Sequence, residues 1–160
     1  MRGELRKRNG KREESTAGVV VGSVVKRRHW RDGHGKLVVH AAGGQEAPSP
    51  ATAPVTVPVT VPLELATSYR ARTRGLLGRD RIDGAMLLSP ANSVHTFGMR
   101  IPIDVAYLDR HLRVLTVRTM PPGRLGLPRL RSRHVLEAEA GAMEAWGLRA
   151  GARVEVVTGV

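Results

Sequence analysis

From residue 35 onward the chain breaks into short apolar runs, and most of them alternate with a period of two. "GKLVVH" (35–40) is apolar and β-branched. "LELAT" (63–67), "AMLL" (85–88) and "ARVEVV" (152–157) have the same strand-like look. "IDVAYLD" (103–109) sets Ile103, Val105 and Tyr107 against Asp104, Ala106 and Leu108, while "RVLTVRTM" (113–120) puts Leu115 and Val117 on one face. Residues 109–112 join these two as a hairpin. "HVLEAEA" (134–140) fits a strand, with a helix as the alternative on local propensity. Only two segments favour helix. "YRARTRGLLG" (69–78) follows Thr67 or Ser68 as N-cap, places Arg70 and Arg74 on one face, and has Gly78 as its expected stop. "GAMEAWG" (141–147) predicts a single helical turn, with Trp146 packing it onto the sheet. The pattern predicts a mainly β (β-rich α+β) fold, a compact barrel- or sandwich-like domain of about seven short strands with one or two short helices.

Residues 1–28 carry "RKRNGKREE" and read as a basic, disordered tail. Residues 30–157 form the expected single domain, which 160 residues can accommodate. Within it, residues 41–58 are rich in Pro, Ala and Gly and predict a loop or insertion. Pro54, Pro58 and Pro62 argue against a central strand before Pro62. "PPGRLGLPRLRSR" (121–133) predicts a long surface loop. The stretch "SVHTFGMRIPIDVAYLD" (93–109) crowds a histidine, a glycine and a proline before a strand. Gly98 permits an unusual φ and Pro102 suits a strand's first position, so a corner explains both. His95 is the residue a corner does not require.

Composition changes this picture in three ways. There is no cysteine, so disulfides, thiolate metal sites and cysteine nucleophiles are excluded. Aromatics are only 3% of residues, so the core is built from aliphatic side chains and methionine. The formal charge is +12, with far more arginine than lysine. An anionic surface or nucleic acid would suit that charge. Codon bias toward Arg, Ala, Gly and Pro explains it more simply, and the scarcity of base-stacking aromatics argues against nucleic acid. No apolar stretch reaches the roughly 20 residues of a membrane span. "AGVVVGSVV" (17–25) is followed by Lys26, Arg27 and Arg28 where a signal peptide needs small residues. The expected location is cytoplasmic.

Several blocks, in order, carry a family resemblance: "LELATSYRARTRGLLGR", "GAMLL", "SVHTFGMRIPIDVAYLD", "VLTVRTMPP" and "HVLEAEAGAMEAWGLRAGARVEV". Over about residues 30–157 the chain resembles the domain of unknown function 192 family (DUF192), also called uncharacterised protein family 0127. Arg72, Gly75, Leu76 and Leu77 match its Arg-x-x-Gly-Leu-Met-type segment, with Leu77 where methionine is common. Pro102, Ile103 and Asp104 match its Pro-Leu-Asp segment, and Val135, Leu136 and Glu137 its Val-Leu-Glu segment. Where many members have Phe-Trp-Met-Lys-Asn-Thr, this chain has Val94, His95, Thr96, Phe97, Gly98 and Met99. The resemblance implies a compact, mostly β domain of bacteria and archaea. It implies no activity, substrate or cofactor.

The candidate chemistry is a polar group set: His95, Thr96, Asp104 and Glu137, with Arg74 or Arg79 beside them if the first helix packs across the barrel mouth. His95 is the acid–base or hydrogen-bonding group, Thr96 orients a ligand, and an arginine holds a carboxylate or phosphate. The structural alternative is that Asp104 or Glu137 pairs with an arginine or caps backbone N–H groups, because a buried carboxylate must be partnered or protonated. No cofactor and no metal site is expected, since no ligand pair has helical spacing, and no nucleophile elbow, Walker loop or dinucleotide fingerprint occurs. The reading is therefore a non-catalytic binding or accessory module for a small anionic or polar ligand or a peptide. The alternatives are a small enzyme using His95, Asp104 and Glu137, and a nonspecific nucleic-acid binder.

Overall fold

The computed structural model describes residues 29–40 and 57–159. The basic tail and most of the 41–58 loop lie outside those residues. Nine strands and two short helices follow in order: β1 (Gly33–His40), β2 (Val59–Ala66), α1 (Tyr69–Arg74), β3 (Ala85–Leu88), β4 (Val94–His95), β5 (Ile103–Leu108), β6 (Val114–Met120), β7 (Leu125–Gly126), β8 (His134–Glu139), α2 (Ala142–Ala145) and β9 (Arg153–Thr158). Seven strands make one sheet, in the order β6-β5-β8-β3-β2-β1-β9. The sheet curls into a half-barrel, and its two edges meet at one end. There Val114 N–H donates to the Ala152 carbonyl at 2.9 Å and Val154 N–H to the Leu112 carbonyl at 3.0 Å. The fold is the mainly β one expected, and residues 134–139 are strand rather than helix.

The curl gives the sheet two faces with separate cores. The concave core gathers Leu37, Leu63, Leu87, Leu108, Leu136 and Val154 with Met143 from α2, and Trp30 and Trp146 pack against it. The convex core holds Leu76, Met86, Val94, Ile103, Val105, Tyr107 and Val135. It is covered by α1 and by an arm formed by β4 and β7, which pair only with each other. Every residue of β5 is buried, because both of its faces are covered.

Pairing explains two differences from the sequence reading. β2 begins at Val59 and includes Pro62, four residues earlier than "LELAT" suggests. The proline is tolerated because residues 59–62 pair with β1 alone; β3 joins on the other side only from Leu63↔Ala85 onward. β2 and β3 run parallel, so a crossover must connect them, and α1 lies in it. α1 ends at Gly75 rather than Gly78. Gly75 adopts φ 46° and its N–H donates to the Ala71 carbonyl.

Candidate functional site

Register places a continuous row of side chains across the convex face. Glu64 pairs with Met86, Met86 with Glu137, Glu137 with Val105, and Val105 with Arg118. α1 crosses above this row and is fixed at its entry. The Asp32 carboxylate Oδ1 accepts from the N–H groups of Thr67 and Ser68 at 2.6 and 2.8 Å and from the Thr67 hydroxyl at 3.0 Å. The Ser68 hydroxyl first, and then these backbone N–H bonds, hold its pKa well below the usual carboxylate range. Ser68 caps the helix by accepting from Ala71 N–H at 3.1 Å. Arg72 then donates to the Thr67 carbonyl at 2.6 Å, which ties the helix to its own entry.

Beside α1 lies an open cleft of about 430 Å³, lined by Asp32, Glu64, Ser68, Arg70, Arg74 and Arg79 among others, with Gly75 and Met86 at its base. The i, i+4 spacing brings Arg70 and Arg74 to the cleft together. Arg79 is committed, since its guanidinium meets Glu64 Oε2 at 2.8 Å. Among the described residues, neither Arg70 nor Arg74 has a carboxylate within ion-pairing distance.

Glu137 lies next to this base. It is 1% exposed, and its Oε2 has no hydrogen-bond partner. A methyl group at Gly75 would come within 3.8 Å of that oxygen, so the helix end sits directly over it. Burial alone pushes the carboxyl up to about 7. Tyr107, on the same face, is raised by burial, with Arg129 and Arg118 opposing that rise. The Arg129 guanidinium stands 5.3 Å over the Tyr107 ring, and its buried Nε also lacks a partner.

The six side chains singled out from sequence do not share one pocket. Arg74 and Arg79 line the cleft and Glu137 borders its base. Asp104 is adjacent in register yet faces the other way, opposite Ala138 on the concave side. Its carboxylate accepts from the Thr119 hydroxyl at 2.6 Å and from the N–H groups of Gly141 and Met143 at 2.8 and 3.2 Å, holding the start of α2. Thr96 is buried in the arm, where its hydroxyl donates to the Pro121 carbonyl at 2.7 Å and accepts from Arg124 N–H at 2.8 Å. His95 is exposed on the arm and stacks on Phe97, with ring centroids 5.4 Å apart. Asp32 and Glu64 were not anticipated at the site. The alternation of Glu64 against Leu63 and Leu65 signals its face, whereas nothing local signals that Asp32 reaches a helix 35 residues away. Among the described residues no three His, Asp or Glu side chains gather as a metal-binding group.

Fold and site define a class: a curled β half-barrel whose convex face carries an open cleft beside a short helix, with a buried acid next to it. Similarity narrows it further. The DUF192 family model, described as "Uncharacterized ACR", matches residues 52–156, and the chain belongs to that family. A UPF0127 protein of Pyrococcus horikoshii is 31% identical over 87 residues, covering 51% of this chain and 76% of the relative. A UPF0127 protein of Pyrococcus abyssi is 27% identical over 101 residues, covering 60% and 86%. Two solved structures share the fold at 18% identity. One is from Sinorhizobium meliloti 1021, described as a "putative transcription regulator", with TM-score 0.63 over 81% of this chain and 98% of that one. The other is a protein of unknown function from Novosphingobium aromaticivorans, with TM-score 0.59 over 75% and 83%. No helix among the described residues is long and apolar enough to cross a membrane.

Proposed function

We propose that this domain is a binding module whose α1 cleft takes a small anionic or polar ligand. The observation that carries the reading is the pairing of opposites at the cleft. Arg70 and Arg74 reach it without a carboxylate partner among the described residues, and the buried Glu137 carboxyl waits beneath Gly75 with an oxygen unpartnered. A ligand carboxylate or phosphate suits the guanidinium groups. A neutral Glu137 acid can donate one hydrogen bond to a ligand oxygen, and its desolvation is then partly repaid. Arg79 serves by holding Glu64 and closing the cleft wall. His95, Thr96 and Asp104 have no part in this cleft.

The test is a thermal-shift screen of the full chain against acetate, citrate, inorganic phosphate and AMP, since a native-state ligand raises the melting temperature by mass action. A hit should weaken at least tenfold in Arg74→Ala and in Glu137→Gln. A hit that both variants retain refutes the site. One observation favours a second reading: a carboxyl near pKa 7 is suited to proton transfer at neutral pH, so Glu137 alone is the acid–base group of an enzymatic version. Turnover of a ligand found in the screen, lost in Glu137→Gln, would decide for it. The description of the Sinorhizobium protein gives no support to nucleic-acid binding here, because 18% identity speaks to fold alone.

A further inference from the structure

The arm over the convex core has two unlike sides. Val94 and Thr96 point inward and are buried, and Gly126 sits against the Tyr107 hydroxyl, where a methyl group would come within 2.5 Å. Alternation then sends His95, Phe97, Leu125 and Leu127 outward. His95 and Leu125 are direct cross-strand partners. Phe97 is 50% exposed, Leu125 64%, Leu127 75% and, a few residues on, Leu130 87%. Singly exposed leucines need no explanation, but four large apolar side chains on one projecting arm do.

The two stretches that build the arm carry charge of one sign, and the Asp80 carboxylate beside them is paired with Arg100 at 3.1 Å. No acidic residue lies between Asp83 and Asp104 or between Asp109 and Glu137, the two stretches that build the arm, and the second contains seven arginines. Arg124 and Arg131 are exposed and have no ion-pair partner among the described residues. Arg133 donates to the Leu130 carbonyl at 3.1 Å and holds the outermost leucine in place. We infer that the outward face of the β4–β7 arm docks on an anionic phospholipid bilayer, with Phe97, Leu125, Leu127 and Leu130 entering the interface and Arg124 and Arg131 meeting lipid phosphates. Exposed apolar side chains flanked by arginines, on stretches that carry no carboxylate of their own, complement such a surface. A protein partner fits less well. These side chains stand out from the arm instead of lining a groove, and β4 and β7, at two residues each, are too short to template an added strand.

Vesicle flotation with the full chain tests this, comparing phosphatidylcholine alone with phosphatidylcholine containing phosphatidylglycerol. Binding should favour the anionic vesicles by about tenfold or more and weaken as salt rises. The pair Leu125→Ser and Leu127→Ser, and separately Arg124→Glu with Arg131→Glu, should each reduce it about tenfold without moving the melting temperature, since all four side chains are exposed. Absence of binding at low salt overturns the inference. So does equal binding to both vesicle types. Binding that survives the leucine substitutions overturns it too, because adhesion then comes from charge elsewhere, such as the basic residues 1–28. Capture of an alternating Glu–Leu peptide by a chain that ignores vesicles would overturn it in favour of a protein partner.

Discussion

Replacing Glu137 by Gln isolates a buried acid whose Oε2 has no hydrogen-bond partner among the described residues. In the folded chain its carboxyl titrates at about 7, against 4.5 for the unfolded reference, and burial is the cause. Between those values the unfolded chain has given up its proton while the folded chain keeps it. The folded state therefore binds more protons, and stability must fall as pH rises through that window. Each pKa unit is worth about 1.4 kcal/mol, so the gap amounts to about 3 kcal/mol, fully lost above the folded value. Gln has nearly the shape of the neutral acid and does not titrate. Wild type and Glu137→Gln should thus be nearly equal in stability below about pH 4.5, and the variant should lead by about 3 kcal/mol at about pH 8. Urea unfolding at a series of pH values, followed by fluorescence of Trp30 and Trp146, measures this. His134 is also perturbed, with burial holding its pKa down, so it destabilises the fold as pH falls. That contribution is common to both proteins and cancels in the difference. Parallel stability curves from pH 5 to 8 would refute the reasoning, since they would mean that Glu137 is solvated or partnered after all.

Asp104→Ala removes the acceptor for three donors at the start of α2 and should cost about 3 kcal/mol, read as a lower urea midpoint with unchanged slope. Asp104→Asn keeps an acceptor oxygen and should cost less. Arg74 has no ion-pair partner among the described residues, so Arg74→Ala should leave the melting temperature within a degree or two while weakening any cleft ligand. Asp32→Ala should loosen the entry to α1, seen as faster hydrogen exchange at the Thr67 and Ser68 amides. In the wild type the same bonds persist above the ordinary carboxylate pKa of 3.8 and are lost as pH falls through the lower folded value. Gly84→Ala sets a methyl group 2.2 Å from the Pro62 carbonyl oxygen at a φ of 74° and should destabilise by about 3 kcal/mol in the same urea assay.

The strands were legible because alternation is local, and β5, β6 and β8 fall within a residue or two of where the pattern puts them. The N-cap of α1 was legible for the same reason, as Ser68 and the helix after it are neighbours in sequence. Features that depend on a distant strand were not. The proline at 62 looks like a barrier until it is known that β3 pairs only from Leu63 onward. The loop at 121–133 conceals β7, because a two-residue strand has no period of its own and exists only by pairing with β4.

The candidate site shows the same division more sharply. Asp104 and Glu137 both alternate with apolar neighbours, so each was legible as a carboxylate near a buried face. Whether they meet depends on the parity of one pairing. β5 and β8 align Asp104 with Ala138 and Val105 with Glu137, and that offset of one residue puts the two acids on opposite faces of the sheet. On the concave side the nearby turn offers N–H groups, so Asp104 is satisfied by backbone and builds structure. On the convex side the neighbours are Met86, Val105 and the bare backbone at Gly75, so the Glu137 Oε2 receives no donor and burial lifts the carboxyl to about 7. The same residue class in the same kind of pattern thus acquires opposite chemistry from a register that no local window contains. The acid left over is the one beneath Gly75, a residue that lines the cleft.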